Sequence, residues 1–149
     1  MTSKDIITLL PYEEPFLFVD GLSTISEDGI SGFYTLKEDE YFYKGHFKDH
    51  PITPVVILTE IMAQIGVVCL GIFLMKDHIT KTEDVKIALT SSQVDFFLPV
   101  YPSEKVTVVS EKDVFRFNKL KCKVKMLNDK GEMICRGVIS GMIKPINHE

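Results

Sequence analysis

The sequence predicts an α+β fold in which a curved antiparallel sheet wraps one long central helix. From Pro54 to Lys76 the chain has no internal proline and is apolar on nearly all sides, the mark of a helix buried on every face. After residue 85, apolar and polar residues alternate in segment after segment, the period of strands with one buried face. The chain has 149 residues, 45% hydrophobic and 26% charged, enough apolar material for one packed domain over residues 1–149 and too much for a disordered chain. Wrapping the sheet on the helix is the economical way to bury both.

The elements follow in order. Asp5–Leu10 reads as a short helix ended by Pro11. Phe16–Val19 reads as a short apolar strand, and Gly29–Leu36 as a second one after the turn Glu27-Asp28-Gly29. A loop from Glu40 to Thr53 follows, rich in aromatic residues and proline. Loops with this much apolar surface pack over something and often carry function. Thr53 suits the helix N-cap and Pro54 the first helical position. The helix to Lys76 would be roughly 33 Å long. Val85–Leu89, Gln93–Leu98, Glu104–Ser110, Leu120–Leu127 and Met133–Ile143 read as strands, with a hairpin turn at Asn128-Asp129-Lys130-Gly131. The sheet should have about six strands, a usual number.

Composition narrows the function. Seventeen basic against 21 acidic residues leave a net charge of −4 and a pI near 5.6. That argues against a generic grip on nucleic acid or on an anionic membrane. The longest unbroken apolar stretch, Ile65–Met75, is 11 residues, short of the ~20 a membrane span needs. The N-terminus, MTSKDIITLL, lacks a long apolar signal region. Cys69, Cys122 and Cys135 are odd in number with no C-x-x-C pair, which argues for reduced, buried thiols. A cytoplasmic protein is expected.

Two polar residues stand out in apolar settings. His46 lies in the aromatic loop, and Glu60 lies in the buried helix, four residues before Gln64 on the same face. A carboxyl in an apolar wall is costly unless paired, protonated or functional. Desolvation would raise its pKa and make it a proton donor near neutrality, with His46 as the basic counterpart. The helix N-terminus at Val55 and Val56 offers free amides to polarise a carbonyl oxygen. These are the parts needed to remove a proton beside a carbonyl and expel a β-hydroxyl. Equally, His46 could be a hydrogen-bonded structural residue, and Glu60 could cap a loop or pair across a subunit contact. His46 and His50 are four apart, but Gly45 and Pro51 place them in a loop rather than on one helix face, so no metal is expected.

The run Gly45-His46-Phe47-Lys48-Asp49-His50-Pro51-Ile52-Thr53-Pro54, with Glu60-Ile61-Met62-Ala63-Gln64 after it, resembles the signature of FabZ-type 3-hydroxyacyl-(acyl-carrier-protein) dehydratases, G-H-F-x-x-x-P-x-x-P-G-V-x-x-x-E-x-x-A-Q. Leu10-Pro11-Tyr12-Glu13-Glu14-Pro15-Phe16-Leu17-Phe18-Val19-Asp20 is similar to the family's L-P-H-R-x-P-F-L-L-V-D, and Val94–Pro102 to its strand before a P-G-D turn. The resemblance implies a hot-dog fold and a homodimer, often built into a trimer of dimers, with each active site shared across the interface. It implies no cofactor. His46 would take the C2 proton of a 3-hydroxyacyl thioester on acyl carrier protein, and Glu60 would protonate the leaving hydroxyl. Gln64 would orient Glu60, while Phe47, Val55 and Val56 would line the bound acyl thioester.

Departures from the pattern are Val55 where the family has glycine, Tyr12-Glu13-Glu14, and Ser103-Glu104 in place of Gly-Asp. They keep a specialised lipid or polyketide substrate open. Two other functions stay open as well: a hot-dog acyl thioesterase and a non-catalytic acyl-binding subunit. Lys119, Lys121, Lys123 and Lys125 alternate with apolar residues, so a strand would place them on one face. That face is either simply solvated or, with Arg116, a docking surface for an acidic carrier protein.

Overall fold

A computed structural model describes residues 1–145. Helix α1 (Ser3–Leu9) opens the chain, fastened by a reciprocal capping box between Thr2 and Asp5. The hairpin β1 (Gly21–Ser26) and β2 (Gly29–Thr35) follows. After the aromatic loop comes α2 (Val55–Leu74), which is continuous over 20 residues. Four long strands complete the fold: β3 (Val85–Phe96), β4 (Lys105–Arg116), β5 (Lys119–Leu127) and β6 (Met133–Pro145). They form one antiparallel sheet in the order β1-β2-β4-β5-β6-β3. This is the predicted hot-dog arrangement, an α+β fold with the sheet wrapped on its central helix.

Helix α2 is long and apolar enough to cross a membrane, yet 78% of its most apolar window is buried inside the protein. Ile61, Met62, Ile65, Val67, Leu70 and Ile72 are all fully buried, as are the three free cysteines. The facing surface comes from the inward residues of the sheet, such as Leu120, Cys122, Val124 and Met126 of β5. The middle of α2, Gln64–Cys69, is wound as a π-helix. A wide turn releases a carbonyl from the helical ladder, and the Gly66 carbonyl accepts a 2.8 Å bond from the buried Ser110 hydroxyl of β4. Glycine permits that approach, because a Cβ on residue 66 would lie only 3.0 Å from the Ser110 Cβ.

Four expectations are corrected. Phe16–Val19 is not a strand. Its backbone instead bonds to the Gln64 side chain, with the Phe18 N–H donating to Oε1 and the Phe16 carbonyl accepting from Nε2. The segment Gly21–Ser26, which carries no strong apolar alternation, is the true first strand. Val85–Leu89 and Gln93–Leu98 are one strand, interrupted only by a register shift between Leu89 and Ser91; a bulge adds a residue without ending a strand. Thr53 does not cap α2. Its hydroxyl bonds to the Tyr43 hydroxyl at 2.7 Å, and Pro54 is the cap, its carbonyl accepting from the amides of Ile57 and Leu58.

Strand β6 packs closely on β3 at Gly137, where a Cβ would collide with the Gln93 carbonyl oxygen and lie 2.8 Å from the Val94 Cα. Backbone cannot retreat as a flexible side chain does. Gly137→Ala is therefore expected to cost about 3 kcal/mol, the upper end of ordinary overpacking. Urea denaturation checks this, and an unchanged midpoint would show that the two strands separate freely there.

Candidate active site

His46 is held by its own loop. Glu40, buried at the loop's start, accepts from the Tyr34 hydroxyl and the Lys37 amide. At its end, Thr53 donates its amide to the Val100 carbonyl at 2.8 Å. Between these anchors His46 and Ile52 bond twice: the Ile52 amide donates to the His46 carbonyl at 2.9 Å, and His46 Nδ1 lies 2.8 Å from the Ile52 carbonyl. A carbonyl oxygen only accepts, so Nδ1 carries the proton, and in the neutral ring the lone pair is on Nε2. The intervening turn is closed by reciprocal bonds between Phe47 and His50, with Asp49 at φ 59°. The His46–Phe47 peptide is cis. The Phe47 ring stacks on the imidazole at 3.9 Å and is 53% exposed.

Glu60 sits half-buried on α2. Burial pushes its carboxyl above the ordinary 4.5, while a hydrogen bond from Gln64 opposes the shift. That bond runs from Gln64 Nε2 to Glu60 Oε2 at 3.0 Å. Gln64 is fully buried, and each of its polar atoms is used, since Nε2 also donates to Phe16 and Oε1 accepts from Phe18. The carboxamide cannot rotate without breaking two backbone bonds, so it holds the carboxylate from a fixed position.

At the start of α2, the amides of Val55 and Val56 have no helical carbonyl to reach, as in the first turn of any helix. Their side chains are 48% and 70% exposed. The structure thus joins Glu60 to Gln64 and His46 to Phe47, and places Val55 and Val56 at the helix mouth. Among the described residues, no hydrogen bond or ion pair joins His46 to Glu60.

Two further groups at the site, the Tyr12 phenol and the Phe16 carbonyl, were given no role from sequence. Tyr12 is half-buried, and its phenol is pushed up first by burial and then by the Glu60 charge. Its ring packs 6.4 Å from that of Phe16, whose carbonyl receives Gln64. The only sequence signal for Tyr12 was its departure from the family histidine. For the Phe16 carbonyl there was none, because any residue supplies one.

Residues 10–139 match the model for the FabA-like domain family, and the chain belongs to that family. Among curated relatives, 3-hydroxyacyl-[acyl-carrier-protein] dehydratase FabZ of Petrotoga mobilis is 39% identical over 77 residues, covering 52% of each chain. FabZ of Nitratidesulfovibrio vulgaris (Miyazaki F) is 35% identical over 105 residues, 69% of this chain and 66% of the relative. FabZ of Acinetobacter baylyi is 29% identical over 123 residues, 79% of this chain and 82% of the relative. The chain therefore spans about half the length of the first of these and just under two thirds of the second.

The fold also superposes on the dehydratase heterocomplex ApeI:P from Xenorhabdus doucetiae, with TM-score 0.77 at 13% identity, covering 96% of this chain and 91% of that one. A hypothetical thioesterase protein with coenzyme A from Streptococcus pneumoniae TIGR4 gives TM-score 0.63 at 9% identity, covering 85% of this chain and 87% of that one. At these identities the likeness is one of fold.

The raised Glu60 pKa sets a pH dependence. The native carboxyl holds its proton to higher pH than the unfolded one, so its contribution to stability is greatest below the unfolded pKa. That contribution falls as pH rises through the native pKa. Glu60→Gln is expected to flatten this decline and to melt higher than wild type at neutral pH. Thermal melts from pH 4 to pH 8 check it, and parallel curves for the two proteins would mean that Glu60 is not desolvated.

Proposed function

We propose that this protein dehydrates a 3-hydroxyacyl thioester carried on acyl carrier protein to the trans-2-enoyl thioester, in fatty-acid or related lipid biosynthesis. The observation that carries the proposal is the pairing of chemistries. His46 has its Nε2 lone pair free because Nδ1 is committed to Ile52, and Glu60 is kept protonatable by burial and oriented by Gln64. The curated relatives bear the dehydratase name.

In this reaction His46 Nε2 takes the C2 proton. The electron pair left behind becomes the C2–C3 double bond as the C3–O bond breaks. Glu60 gives its proton to the departing hydroxyl, which leaves as water. The free amides at Val55 and Val56 receive the thioester oxygen as negative charge builds on it, and Phe47 covers the imidazole.

The base and the acid come from different protomers of a homodimer. Strand β3 supports this: it is a 12-residue strand at the sheet edge, paired to β6 on one side and exposed along most of its length, Leu89 and Phe96 included. A long, exposed, partly apolar edge is a template for another strand. Pairing with a second copy would extend the sheet and bring two helices together. We assign the protein to the cytoplasm, as one domain using no cofactor.

His46→Ala and Glu60→Gln are each expected to lower kcat by ~100- to 10,000-fold, with the far-ultraviolet spectrum unchanged. The assay follows enoyl product and free carrier thiol together across several 3-hydroxyacyl chain lengths. Enoyl formation without thiol supports the dehydratase, thiol without enoyl identifies a thioesterase, and neither product points to an acyl-binding subunit. The mass in solution should be that of a dimer or a multiple of it.

Val55 adds a branched side chain where the thioester approaches. Val55→Gly is expected to raise kcat/KM on straight-chain substrates by ~10-fold or more, the worth of one methylene-sized contact. Equal values for both proteins would remove crowding at Val55 as a determinant of substrate choice.

A further inference from the structure

The hairpin tip between β4 and β5 carries a side chain that neither the fold nor the dehydration chemistry uses. Phe117 is 86% exposed, more than any other large apolar side chain among the described residues. It sits at φ 54°, followed by Asn118 at φ 63°. A two-residue turn of this hand favours Asn-Gly, and a bulky residue there is strained. Asn118 suits its place, and Phe117 does not. The ring therefore gains little from packing and works against the turn that bears it.

Cations surround the tip. The strand register sets Arg116 opposite Lys119 and, at the adjoining end of β6, Lys144 opposite Lys86. The Ile143 amide donates to the Asn118 carbonyl at 2.8 Å, which brings Lys144 beside the turn. All four cations are exposed. No carboxylate lies opposite any of them in the register, and among the described residues none has an ion-pair partner. Lys121 pairs with Asp113 at 3.7 Å. On the neighbouring β1–β2 turn, Glu27 pairs with Lys76, and Asp28 lies beside Lys112, whose amide donates to its carbonyl.

Beside the ring, a cleft of about 300 Å³ is lined by Val114, Arg116, Phe117, Lys119 and Lys121, with no carboxylate among them. Val114 is itself exposed. An apolar wedge thus stands next to a recess lined by cations. A stable protein–protein interface needs a broad complementary surface. A single aromatic at a hairpin tip, flanked by cations, fits instead a medium that is anionic outside and apolar within. Strand β4 runs 12 residues from Lys105 to Arg116, roughly 35–40 Å. The tip therefore lies at the far end of the strands from residues 97–101, which anchor the His46 loop of the same chain.

We propose that the β4–β5 hairpin tip is a contact site for an anionic phospholipid surface. Phe117 enters the boundary between headgroups and acyl chains, and Arg116, Lys119 and Lys121 take headgroup phosphates in the cleft beside it, with Lys144 and Lys86 adding attraction at longer range. The chain's net charge of −4 argues against attachment through the molecule as a whole, so contact is confined to this local reversal of sign. The inference does not depend on the dehydratase reading.

The test uses the full chain and vesicles of phosphatidylcholine, alone or mixed equally with phosphatidylglycerol. Wild type is expected to sediment with the anionic vesicles, less so at high salt, and to stay in solution with phosphatidylcholine alone. Arg116→Gln with Lys119→Gln should weaken binding by roughly 25-fold, fivefold for each cation. Phe117→Asn should weaken it by roughly 10- to 100-fold, the worth of burying the ring, yet melt no lower than wild type, because asparagine suits the turn. The sequence contains no tryptophan, so Phe117→Trp supplies a single fluorophore that keeps the apolar wedge. Its emission should shift to the blue with anionic vesicles only.

Failure of wild type to sediment with anionic vesicles overturns the proposal, as does equal binding by wild type and the variants. Equal binding to both kinds of vesicle overturns it too, since charge would then play no part. A lower melting temperature for Phe117→Asn would show that the ring packs within the fold, and a smaller mass in solution would make the tip an interface between copies of this chain; either result overturns the proposal. If the tip substitutions lower turnover of carrier-linked substrate while wild type binds no vesicle, the tip meets a protein and the proposal falls.

Discussion

The Gln64 carboxamide is the point on which both the fold and the site depend. Its side chain is fully buried in the central helix and bonds to backbone groups far away in sequence, Phe16 and Phe18. A buried amide without partners costs several kcal/mol on the harsher scales, so the N-terminal segment must return to α2 and lie against it. The same Nε2 then reaches Glu60. One residue therefore closes the chain over the helix and orients the Glu60 carboxyl, and a change at Gln64 could not alter one without the other. The arrangement also accounts for the half-buried Tyr12, which the returning segment carries to the side of Glu60.

The aromatic loop solves the matching problem for His46. A histidine on a free loop would sample many orientations and both tautomers. Here the loop is fixed at one end by Glu40 and at the other by Thr53, each through groups buried in the core, and the Ile52 carbonyl selects the tautomer. Glu60 and His46 are thus held by different means: Glu60 by a side chain within the helix, His46 by backbone closure of a loop. Among the described residues no hydrogen bond or ion pair joins the two, so each is oriented independently of the other.

What the sequence revealed follows the same physical division. The helix was legible from its all-round apolarity, and β5 from strict alternation, because burial on every face or on one face leaves a period in the residues themselves. His46, Glu60 and Gln64 were legible as polar residues in apolar surroundings. Phe16–Val19 misled because its residues are strand-like while its partner is a side chain, Gln64, rather than another strand. Thr53 misled because a hydroxyl able to cap a helix found the Tyr43 hydroxyl instead. The bulge after Leu89 leaves an interruption in alternation indistinguishable from a turn. Each miss involves a long-range partner, which local pattern does not encode.

Strand β5 shows how narrowly the two faces of the sheet are separated. Leu120, Cys122, Val124 and Met126 point at the helix while Lys119, Lys121, Lys123 and Lys125 point outward. A slip of one residue would exchange the sets, burying four cations and exposing the core. Turns at both ends prevent this. Phe117 and Asn118 take φ of 54° and 63°, the backbone of a tight two-residue hairpin turn. At the far end the Asn128 side chain accepts from the amides of Lys130 and Glu132, and Gly131 supplies a φ of 77°. The register that packs the helix is the same register that sets Lys125 beside Arg136. Repulsion between them is offset on the neighbouring strands, where Asp95 lies directly opposite Arg136 and Glu111 directly opposite Lys123, so the one register that buries the core also alternates charge across the outer face.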